Sequence, residues 1–155
     1  MNIIAIDPGL TGALAVMHDG GQWLRITDLP IIRDGALAWV DGGELRRLLI
    51  EGRSGTDAIV VIERVSAMPT QGVSSSFNFG VGFGSILGAV QMLDLPLHFV
   101  QATKWKRELG LSRDKNASLD KARLLFPTAP LTLKKHDGRA EALLIAHWYV
   151  TRGRG

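Results

Sequence analysis

Four acidic residues frame the chemistry open to this sequence: Asp7, Glu63, Asp137 and Glu141. Asp7 follows the apolar run Asn2-Ile3-Ile4-Ala5-Ile6 and opens the turn Asp7-Pro8-Gly9-Leu10-Thr11-Gly12. Pro8 fixes its own φ, and Gly9 and Gly12 allow backbone geometry that bulkier residues resist. The carboxylate is thereby held still at a strand end, as a metal ligand or a general base must be. The same residues also fit an Asx-type turn, in which the carboxylate only accepts from nearby N–H groups. Glu63 ends a second continuous apolar run, Ala58-Ile59-Val60-Val61-Ile62. It also suits a solvated strand end or a partner for Arg64. Asp137 and Glu141 stand four residues apart, an advance of about 400° around a helix, so both project from nearly the same face. The first turn of a helix favours negative charge in any case, so capping is a second role open to them.

If the strands ending in Asp7 and Glu63 are parallel neighbours, their ends share one edge of the sheet about 4.8 Å apart. Two carboxylates at that spacing can share a divalent ion, and the last helix can bring two more. Converging acids repel one another without a cation. Hard oxygen ligands and the absence of cysteine indicate Mg²⁺, with Mn²⁺ as its substitute, rather than zinc. Two such ions roughly 3.5–4 Å apart suit phosphoryl displacement, because they clamp both the attacking and the leaving oxygen. His136, beside the site, is placed to orient water or donate a proton; it also reads as an exposed loop histidine.

The elements that must position these acids can be read in order. Gly12 to His18 alternates as a second strand, His18-Asp19-Gly20-Gly21 is a hairpin turn signal, and Trp23 to Leu29 reads as a third strand. Pro30 to Trp39 reads as loop. Asp41 to Glu44 resembles a capping box, followed by Leu45, Leu48 and Leu49 at helical spacing, with an end near Gly52. A helix between the meander and Ala58–Ile62 lets that strand return parallel to the first. Arg64 to Ser76 is a polar loop, Phe77 to Leu93 a helix with glycines at 80, 82, 84 and 88, and Leu97 to Val100 a fifth strand. Helices follow at Thr103–Leu109 and Ala117–Phe126, the chain breaks at Pro127–Pro130, and a last helix runs from Asp137 to Val150. It is apolar nearly all round from Ala142, hence buried. The expected fold is α/β: a central mixed five-stranded sheet, a three-strand antiparallel meander plus two parallel strands, flanked by helices.

With 155 residues the chain suits one domain, 1–155, able to bury roughly 68–70% of its unfolded surface without staples. The lack of cysteine excludes disulfides and thiolate metal sites and favours a cytoplasmic setting. No signal-peptide pattern opens the sequence, and the apolar stretches read as short of a membrane span. The charge is divided: residues 1–100 hold six Arg, no Lys and ten acids, whereas residues 101–155 hold twelve Lys and Arg and five acids. A basic final third suits a polyanion such as DNA, although solvated helix faces give the same pattern. Lys104, Lys106, Arg107, Arg113, Lys115, Lys134 and Lys135 are the candidate phosphate contacts. Trp105, between two lysines, reads as either a stacking residue or a core anchor.

Taken together, IAIDPGLTGALA, VVIERV, MPTQGVSSSFNFG and HDGRAEALLIAHW, in that order and spacing, resemble the RuvC family of Holliday-junction resolvases. The likeness is greater to the short RuvC-like proteins of bacteriophages and prophages, and covers about residues 1–150. It implies an RNase H-like fold, a homodimer, a Mg²⁺-dependent site in each subunit and paired nicks in a four-way DNA junction. By position it makes Asp7 and Glu63 the strand acids and Glu141 the last acid, where the cellular enzymes have Asp. The family's remaining ligand stands three residues before that acid, which here is Gly138; Asp137 is the substitute, with His136 beside it. Gln71, Gly72, Val73 and Ser74 resemble the family's junction loop, and Phe77, Phe79 or Met68 would wedge against bases there.

Two other readings compete. Asp7-x-Gly-x-Thr11 also resembles the first phosphate loop of actin-like ATPases and sugar kinases, but that class needs two such domains and leaves Glu63 and the acidic last helix unexplained. Nor is a Walker motif or G-x-G-x-x-G present, so no nucleotide cofactor is expected. The third reading is a junction-binding module without catalysis.

Overall fold

The computed structural model describes residues 1–55, 57–65, 72–112, 114 and 116–153. Gln71, Lys115, Met68 and Arg113 lie outside the described residues. Among the described residues seven strands and five helices are defined in this order: β1 (Asn2–Asp7), β2 (Ala13–His18), β3 (Trp23–Asp28), β4 (Ile31–Asp34), β5 (Leu37–Val40), α1 (Gly42–Arg53), β6 (Ala58–Arg64), α2 (Val73–Gln91), β7 (Leu97–Gln101), α3 (Ala102–Glu108), α4 (Ala117–Leu125) and α5 (Asp137–Arg152). A 3-10 turn, Lys134–His136, leads into α5.

The main sheet has the order β3-β2-β1-β6-β7. The β1–β2 and β2–β3 pairs are antiparallel, while β1–β6 and β6–β7 are parallel. This is the mixed five-stranded sheet expected from the sequence. Crossover α1 lets β6 run parallel to β1. Asp41 caps α1, its Oδ1 accepting from Gly43 N at 3.0 Å and Glu44 N at 3.1 Å.

Both faces of the sheet are covered, so β1 is apolar without alternation yet divides its side chains between two cores. Ile3 and Ala5, with Ala13, Ala15 and Val61, pack with α3, α4 and α5. Ile4 and Ile6, with Leu14, Val16, Val60 and Ile62, pack with α1 and α2. Side chains two apart along a strand share a face. Asp7 therefore continues the Ile3–Ala5 side, and Glu63 continues the Val61 side. Both point toward the layer that holds α5. The small side chains of Ala5, Ala13 and Ala15 let α5, itself rich in alanine, lie over β1 and β2.

Three sequence expectations need correction. Residues 30–39 are not simple loop: β4 and β5 form a separate antiparallel hairpin with Asp34 opposite Leu37. Gly35, at φ +55, supplies the left-handed residue that a two-residue hairpin loop requires at its first position. The helix after the polar loop starts at Val73 rather than Phe77. At 19 residues α2 is also long and apolar enough to cross a membrane by length and composition, contrary to the reading of the apolar stretches as short. Gly82, Ile86, Ala89 and Val90 are its buried residues, the last three within the core that packs α1 and α2 on the sheet.

Candidate metal and nucleic-acid site

The register sets the two strand acids side by side. Ile6 pairs with Ile62 across the parallel β1–β6 ladder, so Asp7 and Glu63 are the next residues on adjacent strands. From the other side α5 brings its first turns. Asp7, Asp137 and Glu141 line one open cleft of about 440 Å³, together with Thr11, Lys106, Ser112, Asp114, Ser118 and Gly138. Its volume suits a segment of a polar, extended substrate, and its walls are predominantly polar or charged.

Gly138 explains how α5 comes so near. A Cβ at that position would lie 2.3 Å from the Thr11 carbonyl oxygen and 3.0 Å from Gly12 Cα. Gly12 is equally confined, since a Cβ there would lie 2.0 Å from the Asp7 carbonyl oxygen. The turn after β1 and the first turn of α5 are thus in backbone contact. Position 138 has no room for any side chain, so a ligand there is sterically excluded, and the neighbouring acid in the cleft is Asp137. The next residue, Arg139, forks onto Asp28 at the end of β3, with Nε–Oδ1 and Nη2–Oδ2 distances of 2.5 and 2.8 Å. This pair fastens the start of α5 to the sheet and holds the Asp28 carboxyl below its usual range.

The acids differ sharply in their partners. Glu141 Oε1 accepts from Lys106 Nζ at 2.6 Å and from Ser118 Oγ at 2.9 Å. Glu63 Oε2 accepts from the Trp105 indole Nε1 at 2.8 Å. Asp137 Oδ1 accepts from the Gly138 backbone N–H at 3.0 Å. Asp7 has the Gly9 backbone N–H, and among the described residues no cation pairs with it. Burial, then the charges of Glu141 and Glu63, push the Asp7 carboxyl up from 3.8 to about 7. Burial also raises Glu63, against the opposing hydrogen bond from Trp105. The four acids therefore share one electrostatic field, but they do not meet at a point. Among the described residues no three Asp, Glu or His side chains are gathered as a ready ligand set, because Glu63 and Glu141 are turned to Trp105, Lys106 and Ser118.

The remaining candidates are spread around this cleft. His136 is largely buried and lines a separate cavity of about 190 Å³, with Leu10, Thr11, Gly12, Asp28 and Lys135. Its Nδ1 accepts from Leu133 N at 3.3 Å, and burial lowers its pKa. The Thr11–Gly12 turn thus lies between His136 and the carboxylate cleft. Lys106 sits inside the cleft rather than beside it. Lys104 lies over the Trp148 ring at 5.5 Å. Lys134 and Lys135 occupy the turn before α5. Ser74 and Phe77 are exposed on the first turns of α2, Phe77 at 66%, so Phe77 is not a core residue. Ser118 is a cleft residue that the sequence does not mark, and Trp105 reads in the sequence as either core or stacking. Trp105 is fully buried, with its one polar atom aimed at Glu63. The signal that could have found it is the rule that a buried indole N–H needs an acceptor.

No family model matches the sequence. Over 91 residues, 56% of this chain, it is 36% identical to the chloroplastic Holliday junction resolvase MOC1 of Chlamydomonas reinhardtii. The chain spans about a tenth of that relative's length. The structure is similar to that of T. thermophilus RuvC in complex with a Holliday junction substrate, with a TM-score of 0.68 and 15% identity, covering 99% of this chain and 95% of the other. A second Thermus thermophilus RuvC structure gives a TM-score of 0.59 and 18% identity, covering 99% and 97%. At these identities the structural likeness is one of fold. The strand order, the edge at which Asp7 and Glu63 end, and the helix that brings Asp137 and Glu141 to them belong together in one architecture: this chain has the RuvC fold, an RNase H-like α/β arrangement.

Proposed function

We propose that this chain is a structure-selective endonuclease that resolves four-way and related branched DNA junctions, leaving 5′-phosphate and 3′-hydroxyl ends. The observation that carries the reading is the cleft at the end of β1. Asp7, Asp114, Asp137 and Glu141 line it and Glu63 adjoins it, and among the described residues no cation pairs with Asp7, the most confined of them. An all-oxygen donor set with unbalanced negative charge fits a hard divalent cation such as Mg²⁺ or Mn²⁺. Asp7, Glu63, Asp137 and Glu141 would hold it. Bound there, such ions activate water and stabilise the departing 3′ oxygen.

The chain's own residues supply the rest. Lys106 now neutralises Glu141 from within the cleft, and from the same place its ammonium reaches toward a phosphate. Lys104, Arg107, Lys115, Lys134 and Lys135 would contact the backbone of the junction's arms. Ser74 and Phe77, on the first turns of α2, would face unpaired bases, and Gln71 is the further candidate for that contact. Paired nicks need two sites, and we assign the homodimer contact to α2. Gly80, Gly84 and Gly88 recur on one stripe of that helix, and an added Cβ at any of them meets nothing within 4 Å.

The test is incubation of a synthetic four-way junction with Mg²⁺, with Ca²⁺ and with nucleotide. Symmetric nicks with ligatable ends in Mg²⁺ support the resolvase. Binding without nicking supports instead a junction-binding module. Nucleotide hydrolysis without nicking would reject both.

A further inference from the structure

Trp105 lies on α3, 42 residues from Glu63 in sequence, yet its indole Nε1 donates to Glu63 Oε2 at 2.8 Å. The ring is fully buried. It packs in the core with Val61, two residues before Glu63, and with the apolar part of α5. The hydrogen bond is thus held from both ends: Glu63 by its strand and Trp105 by its packing. The adjacent residue, Lys106, has its Nζ 5.0 Å from the centre of the same ring and 2.6 Å from Glu141. One short helix therefore fixes two acids of the cleft, one from a strand and one from α5.

We infer that Trp105 is a positioning residue: its indole N–H orients the Glu63 carboxylate so that the opposite oxygen faces the cation site shared with Asp7. The inference rests on the proposed metal-dependent reading of the cleft. A carboxylate has two oxygens, and one held by a fixed donor leaves the other with a defined direction. Outer partners of this kind typically change metal affinity 10–100-fold when removed. A purely structural tryptophan would have its N–H satisfied anywhere. Trp148 is the internal comparison: its Nε1 donates to Glu108 Oε2 at 2.6 Å, and Glu108 ends α3, whereas Glu63 stands beside Asp7 on the adjacent strand.

The chain has four tryptophans, so a ¹⁵N spectrum of the full-length protein carries four indole signals. The signal lost in Trp105→Phe identifies Trp105. On Mg²⁺ titration of the wild type that signal should move saturably, while that of Trp148 stays in place. By calorimetry, Trp105→Phe should weaken Mg²⁺ binding between about 10- and 100-fold. A cation that binds, in an Asp7-dependent manner, without moving the Trp105 signal would overturn this inference alone. So would a folded Trp105→Phe protein with wild-type affinity and only a lower melting temperature. No Asp7-dependent Mg²⁺ binding in the wild type would overturn both this inference and the metal-dependent reading. If Trp105→Phe fails to fold, the wild-type titration decides, with the Trp105 signal assigned by through-bond experiments.

Discussion

Replacing Asp7 by Asn should stabilise the metal-free protein at alkaline pH while abolishing cleavage. The free carboxyl titrates at 3.8 in a model peptide and at about 7 in the fold. Between these values the native protein holds a proton that the unfolded chain has released, so wild-type stability falls as pH rises from about 4 and reaches its full loss above 7. At ~1.36 kcal/mol per pH unit the whole difference is about 4 kcal/mol. Asn keeps the side-chain shape and an oxygen that can accept from Gly9, but it carries no charge to be buried beside Glu141 and Glu63. For a domain of this size each kcal/mol corresponds to about 2–4 °C. In EDTA at pH 8 the variant should therefore melt higher by roughly 8–16 °C, and the gap should close as pH falls toward 4. Mg²⁺ should raise the wild-type melting temperature and leave the variant nearly unmoved. Thermal unfolding followed by circular dichroism at three pH values, with and without Mg²⁺, reads all of this. Equal or lower stability of Asp7→Asn at pH 8, or a gap independent of pH, refutes the claim that Asp7 is buried against unbalanced charge. Junction binding should survive the substitution, since the basic residues are untouched.

Three further outcomes follow from the same geometry. Gly138→Ala places a Cβ 2.3 Å from the Thr11 carbonyl oxygen, and backbone overlap of this kind should cost about 2 kcal/mol or more in urea unfolding; a neutral result would mean that α5 approaches the turn less closely. Binding of Mg²⁺ near pH 6 should release a proton from Asp7, and above pH 8 the release should vanish. Calorimetry in buffers of different ionisation enthalpy measures it, and release that is constant with pH would point to another group. Lys104→Gln, Lys106→Gln and Arg107→Gln should each reduce the slope of log affinity against log salt by about one where the residue meets a phosphate; an unchanged slope removes that residue from the interface.

The parts of this site legible in the sequence are those fixed by local repeats. Strand parity alone places Asp7 on the face of Ile3 and Ala5, and helical period alone places Asp137 and Glu141 together. The parallel pairing of β1 and β6 followed from the helix between them. The unread parts depend on contacts across long stretches of chain. Lys106 and Glu141 are 35 residues apart, Trp105 and Glu63 42 apart, and no local pattern reports either pair. The backbone contact of Gly138 with Thr11 gave only a glycine at an unexpected position. His136 sits in a 3-10 turn before α5 and is largely buried rather than exposed, lining the cavity that also holds Asp28. The hairpin β4–β5 did carry a signal, Asp34-Gly35 between apolar residues, masked by the proline and the charges around it.

The arrangement of partners explains why four acids can share one electrostatic field here without unfolding the sheet edge. Two of the four, Glu63 and Glu141, have donors from α3, and Glu141 has a full positive charge within 2.6 Å. Asp137 stands in the first turn of α5, where the helix end favours it. The residual charge is thereby concentrated on Asp7, which is also the acid most rigidly placed, by Pro8, by the confined Gly12 and by the central strand of the sheet. An excess shared by four mobile side chains would be dissipated by rotation into solvent. Concentrated on one fixed carboxylate it persists until a proton or a cation removes it, and near neutral pH those two compete directly. Affinity for a hard cation and instability of the empty site are then one property of Asp7, seen from the bound and the unbound side.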